Sequence, residues 1–169
     1  MNPLKVGQRL VGHGEPAFII AEMAWAHDGS LDKAIRIARG AAEAGADALS
    51  IHITSLPDYM VRHYGNPGGV SAGKPASEIY QYLERLNLSP EQVGAVCAEA
   101  RQAGLALCVM PNDFPRLALA RSLEPDAYVL APACFVEEDF VEELGRAGRP
   151  VILRIGGATL GEIERAVWW

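Results

Sequence analysis

The chain has no CxxC motif and only three cysteines, Cys97, Cys108 and Cys134. An odd number without metal-ligand spacing points to small buried thiols in a reducing cytoplasm. It also has no basic cluster. The net charge of −6 over 169 residues argues against nucleic acid and against anionic membranes as partners. No apolar run approaches the ~20 residues of a membrane span. Met1 to Leu10 lacks the apolar core of a signal peptide. The four histidines, His13, His27, His52 and His63, show neither zincin nor paired-ligand spacing, so no metal site is expected. What the chain does have is apolar residues, 50% of the total, enough for one globular domain with a real core.

Those residues are organised around Ala17 to Ile53, which reads as strand, turn, helix, glycine stop and strand. Phe18 to Met23 is apolar throughout, as a covered parallel strand should be, except for Glu22 near its C-terminal end. His27-Asp28-Gly29 is a turn, and Ser30 caps a helix whose apolar residues fall at helical spacing. Gly45 ends that helix, and Leu49 to Ile53 is the next strand. Met1 to Pro16 is a lead-in. Thr54 to Ala76 is irregular and rich in Pro and Gly, and a loop of that length is often functional. It holds Asp58, Arg62, His63, Tyr64, Asn66 and Lys74, all able to bind a ligand.

Beyond it the pattern repeats. Ser77 to Leu86 is a helix, and Ser89-Pro90-Glu91-Gln92 opens another. Strands follow at Leu105 to Met110, Ala127 to Ala131 and Pro150 to Ile155. Helices are predicted after Asp113, from Glu137 to Arg146, and from a capping box at Thr159. Ala44-Gly45, Ala103-Gly104 and Ala147-Gly148 each stop a helix before an apolar strand. Repeated βα units imply a parallel sheet. Ser50, His52 and Thr54 alternate with Leu49, Ile51 and Ile53, so one face of the second strand is polar. The lumen near a barrel's C-terminal rim accommodates such a face, so the expected fold is an incomplete (β/α) barrel of about five units over residues 1–169.

Polar residues at the C-terminal ends of barrel strands mark sites. Glu22 is the first candidate. Arg154 interrupts an apolar strand at a similar height and needs an anion, either a ligand or Glu22 itself. Both are expected in one buried polar cluster, where removing one partner costs about 3–5 kcal/mol. The His52 ring can hydrogen-bond a sugar or act as a base. Gly156-Gly157 can present backbone N–H groups to a phosphate, or form a plain turn.

With these elements placed, the chain resembles the N-acetylneuraminate (sialic acid) synthase family. The resemblance lies in Phe18-Ile19-Ile20-Ala21-Glu22, His27-Asp28-Gly29-Ser30-Leu31 and Ala44-Gly45-Ala46-Asp47-Ala48. It continues in Ile79-Tyr80 with Glu84-Arg85, Gly148 to Leu153, and Gly156 with Ala158-Thr159-Leu160. It implies a (β/α)8 barrel that condenses phosphoenolpyruvate with an N-acetylated amino sugar, using a divalent metal, Mn or Mg. Glu22 and His27 are then the candidate catalytic residues, and Ser50, His52, Asp58, Tyr80 and Arg154 the candidate substrate contacts.

The chain departs from the family pattern in two ways. A full barrel needs about 250 residues, and the family's metal-binding histidines lie on later strands, so no cofactor is assigned to this chain. Ser50 and Val129 stand where the family usually has lysines that hold phosphoenolpyruvate. Val109-Met110-Pro111 replaces a Ser-Thr-Pro strand end, and Arg154-Ile155 replaces small hydroxyl residues. The isolated chain is therefore expected to be inactive. It is read as one part of a split barrel, a non-catalytic sugar- or partner-binding paralogue, or a different lyase or aldolase on a similar half-barrel. Its partners are expected to be a sugar or phosphoenolpyruvate-like anion, and a second copy or complementary chain that covers open strand edges.

Overall fold

The computed structural model describes residues 3–62, 70–71, 74–75 and 78–169. The lead-in, for which no strands were expected, forms an antiparallel hairpin of β1 (Leu4–Val6) and β2 (Arg9–Val11). A Cβ on Gly7, at φ +58°, would lie 2.9 Å from the Cβ of Ala106, so the hairpin turn sits tightly against the start of a sheet strand.

Five parallel strands follow: β3 (Ile20–Glu22), β4 (Ala48–Ile53), β7 (Ala106–Pro111), β8 (Ala127–Leu130) and β9 (Val151–Leu153). They pair in chain order, β3-β4-β7-β8-β9. A doubly wound sheet reverses direction at a switch point. This order never reverses, so the sheet is the arc of a TIM-like barrel, as expected.

The ladder of β3 is shorter than Phe18 to Met23. The Ile19 N–H turns to the Asp47 carboxylate, 2.7 Å away, while the Ile19 carbonyl accepts from Asp47 and Ala48. At the other end the Met23 N–H still reaches the Ser50 carbonyl at 3.0 Å. Asp126 repeats the Asp47 device, accepting from the Leu107 N–H at 2.9 Å. Each carboxylate stands one residue before its own strand and holds the strand beside it. Asp47 also pairs with Arg9 of the hairpin. These bonds tie down the N-terminal end of the sheet.

Helices α1 (Leu31–Glu43), α4 (Pro90–Gln102), α5 (Phe114–Ser122), α6 (Glu138–Gly145) and α7 (Leu160–Trp168) follow their strands. Their starts obey local capping rules. Ser30 accepts from Lys33 N–H, and Asp113 from Arg116 N–H. Ser89 with Gln92, and Thr159 with Glu162, form full capping boxes. Leu49, Ile51, Leu107, Val109 and Leu130 are buried among the helices in one main core.

The stretch from Thr54 to Ala76 contains a short helix α2 (Leu56–Tyr59) and paired strands β5 (Val70–Ser71) and β6 (Lys74–Pro75), none of them expected. His63, Tyr64, Asn66, the side chain of Lys74 and the expected helix start at Ser77 lie outside the described residues. Helix α3 (Ile79–Leu86) packs Ile79, Tyr80 and Leu83 on Leu56 of α2, in a small separate cluster. Among the described residues no helix is long and apolar enough to cross a membrane.

Candidate functional site at the C-terminal rim

Three charged or titratable side chains meet where β3, β4 and β9 end. Glu22 is the last residue of β3. Its Oε1 accepts from the Ala24 N–H at 3.0 Å, and its Oε2 from the Ser50 hydroxyl at 2.9 Å. Parallel register puts Glu22 beside Ser50, and the two-residue repeat of a strand puts His52 on the same side of β4. The Nε2 of His52 lies 3.3 Å from Glu22 Oε1. The same Nε2 lies 3.1 Å from Nη1 of Arg154, just past β9. That Nη1 is 3.9 Å from Glu22 Oε2 and 3.8 Å from the Met110 sulfur.

Burial opposes ionisation of Glu22 and is the largest single influence on it. The hydrogen bond and charge of His52, with the Ala24 and Ser50 donors, together outweigh burial and hold the carboxyl below its ordinary range.

The cluster borders an open cavity of about 620 Å³. Trp25, Tyr59, Met110, Asn112 and Gly156 are among its other lining residues. Trp25 packs edge-on against the His52 ring, with centroids 5.7 Å apart. Arg154 is the only lysine or arginine among the described lining residues. The cavity therefore combines aromatic walls, one imidazole and one guanidinium, with the Glu22 carboxylate against the last two. That set can hold hydroxyl groups and a single anionic group.

The expected buried Glu22–Arg154 pair needs correction. The two groups do share a cluster, but their side chains are 37% and 46% exposed. Glu22 ends its strand and Arg154 lies beyond β9, so both stand at the rim in reach of water. The expected cost of breaking the pair falls accordingly.

His27 is buried, and its Nδ1 accepts from the Gly29 N–H at 3.1 Å. It caps its own turn. Burial, and then the charge of His52, keep it from protonating as readily as a free imidazole, against the pull of Asp28. The turn it caps is strained: Ala24 and Asp28 have φ of +43° and +51°.

Ser50 is buried, with its hydroxyl committed to Glu22. Asp58 accepts from the Ser55 hydroxyl and lines a second cavity of about 360 Å³. Tyr80 is buried in the α2–α3 cluster under the Arg62 guanidinium, which lies 4.7 Å from its ring centre. The structure thus brings Glu22, Ser50, His52 and Arg154 together, keeps His27 in the adjoining turn, and places Asp58 and Tyr80 elsewhere.

Trp25, Tyr59 and Asn112 were not singled out from sequence. Met110 did carry a signal, because it sits where the strand end departs from the Ser-Thr-Pro pattern that the resemblance implies. Asn112 donates to the Thr54 hydroxyl at 2.8 Å, while its own Oδ1 is buried without a partner.

Among the described residues no three His, Cys, Asp or Glu side chains converge into a set able to hold a metal ion. Glu22 and His52 do converge, but together with a guanidinium that repels a divalent cation. The residues present do not fit the metal that the family implies.

A parallel βα arc with a polar cluster at its C-terminal rim defines a barrel-type protein. The chain belongs to the NeuB family, whose model matches residues 37–169. It is 29% identical over 167 residues to an uncharacterised protein of Methanocaldococcus jannaschii, covering 99% of this chain and 46% of that one. It is 27% identical over 148 residues to a pseudaminic acid synthase of Campylobacter jejuni, covering 86% of this chain and 43% of the relative. The chain thus spans less than half the length of these curated relatives. In fold it is similar to the N-acetylneuraminic acid synthetase of Leptospira borgpetersenii, at TM-score 0.83 and 22% identity, covering 99% of this chain and 54% of that one.

Proposed function

We propose that the chain is a sialic-acid-synthase-like element of carbohydrate biosynthesis whose rim cavity binds an anionic sugar-pathway ligand, and that alone it does not condense phosphoenolpyruvate with an amino sugar. The observation that carries this reading is the single guanidinium, Arg154, on an open cavity that His52 also lines, with the Glu22 carboxylate 3.9 Å from the former and 3.3 Å from the latter. The family membership and the pseudaminic acid synthase relative support the reaction class. The two positions where the resemblance places lysines offer no cation. Ser50 gives its hydroxyl to Glu22, and Val129 is buried. A highly charged anion loses the two counter-charges its transition state needs. In this reading Arg154 anchors the anionic group, Glu22 accepts ligand hydroxyls, and Trp25 and Tyr59 give the sugar ring an apolar wall.

Calorimetry with phosphoenolpyruvate and with N-acetylmannosamine, with and without Mn²⁺, tests it. Phosphoenolpyruvate should bind and Arg154→Ala should abolish that binding, with no phosphate released. Amino-sugar-dependent phosphate release would overturn the inactive reading. Absence of binding would overturn the ligand reading.

Assembly belongs to the same proposal. β3 and β9 are the edges of the sheet, and Ile19 and Ile20 at one edge are exposed, as are Leu160, Val167 and Trp168 of α7. Open apolar edges favour association. The proposed state is a homodimer or a pair with a complementary chain, in the cytoplasm. A stable, non-aggregating monomer in light scattering at micromolar concentration would refute it.

A further inference from the structure

One nitrogen atom faces two partners of opposite charge. His52 Nε2 is 3.3 Å from the Glu22 carboxylate and 3.1 Å from the Arg154 guanidinium. It cannot serve both in one protonation state. A bare Nε2 accepts from Arg154 and offers Glu22 nothing. A protonated Nε2 donates to Glu22 and has no lone pair for Arg154.

We propose that the rim cavity is a proton-coupled oxyanion site, in which neutral His52 ties Arg154 down and protonated His52 turns to Glu22 and releases the guanidinium to a carboxylate or phosphate ligand. This rests on reading the cavity as an anion site.

The charge count favours it. With His52 neutral, Glu22 and Arg154 cancel, and the cluster attracts an anion weakly. With His52 protonated the same three groups carry one net positive charge, and the imidazolium repels Arg154 toward the open cavity. With His52 protonated, Glu22 stays ionised, because its carboxyl then titrates below its ordinary value of 4.5; with His52 neutral, the Ala24 N–H and the Ser50 hydroxyl still donate to it. Among the described residues no other charged group lines the cavity: the end of β7 and the residue after it contribute Met110 and Asn112, and the residue after β8 contributes Ala131. His27, in the turn after β3, is a further titratable group whose charge is coupled to that of His52. Burial disfavours its protonation, so it adds little positive charge. Trp25 packs edge-on against the His52 ring, with centroids 5.7 Å apart.

The test uses pyruvate, a carboxylate that stays ionised throughout, titrated calorimetrically between about pH 5 and pH 8. Affinity should fall as pH rises across that interval, by up to tenfold per pH unit, with proton uptake on binding seen as a dependence on buffer ionisation heat. In His52→Gln, an amide that donates to Glu22 and accepts from Arg154 at once, affinity should be independent of pH. Separately, the Arg154 side-chain NMR signal should shift with the His52 titration in the ligand-free protein. Pyruvate binding that is equal at every pH, or pH dependence that survives in His52→Gln, overturns the coupling and leaves the anion site standing. No pyruvate binding at any pH overturns both. An Arg154 signal indifferent to His52 titration overturns the exchange of partners.

Discussion

A Cβ placed on Gly29 would stand 2.3 Å from the backbone carbonyl oxygen of Arg85. The turn that carries His27 is thereby pressed against the C-terminal end of α3, closer than any side chain allows. Gly29 also has φ of +73°, so two independent constraints require glycine there. Gly29→Ala should cost roughly 2–4 kcal/mol, since the clash is with backbone and cannot be relieved by a rotamer change. Urea unfolding measures it, and a change below about 0.5 kcal/mol would contradict the contact.

The Glu22–Arg154 pair makes a contrasting prediction. Both side chains are more than a third exposed and 3.9 Å apart. A double-mutant cycle with Glu22→Gln and Arg154→Met should give a coupling of at most about 1 kcal/mol. A coupling of several kcal/mol would restore the buried pair expected from sequence.

Acid stability should report Glu22. Its folded carboxyl titrates below the unfolded value, so it binds protons less readily in the native state. The stability it adds is complete above the ordinary value of 4.5 and is lost as pH falls through the lowered one. The difference in unfolding free energy between the native chain and Glu22→Gln should therefore shrink from neutral pH toward pH ~3. A difference that is constant over that range would count against the assigned donors.

Burial pushes the thiols of Cys97, Cys108 and Cys134 up to about 11, 12 and 12. The thiolate is the reactive form. At about pH 8 the folded chain should consume no thiol reagent, and the chain in denaturant should consume three equivalents. Rapid labelling of the native protein would show that one of these sites opens.

The parts legible from sequence were those carried by local signals. Ser89 with Gln92, Thr159 with Glu162, and the positive-φ glycines 45, 104 and 148 declare helix ends within a few residues. The alternation at Ser50, His52 and Thr54 declared which face of β4 is polar. The hairpin β1–β2 was not legible. Its strands have three residues each and leave Leu4 and Leu10 exposed, so no periodicity marks them. Glu22, Ser50, His52 and Arg154 could be assembled because barrel register places strand ends at one height. Trp25, Tyr59 and Asn112 join them from loops and a short helix, where no period applies. Tyr80 lies in the α2–α3 cluster; an apolar helix face and a ligand wall use the same residue type, and only packing tells them apart.

Asp47 and Asp126 fasten neighbouring strands at the end of the sheet opposite the site. None of the rim residues takes part in that fastening. The chain therefore fastens its sheet at one end and gathers its polar cluster at the other. A substitution at the rim leaves the fastening untouched. A lineage of such chains is free to exchange one ligand for another, or to abandon turnover, while folding as well as before. Survival of the fold in a descendant is then no measure of what it still binds.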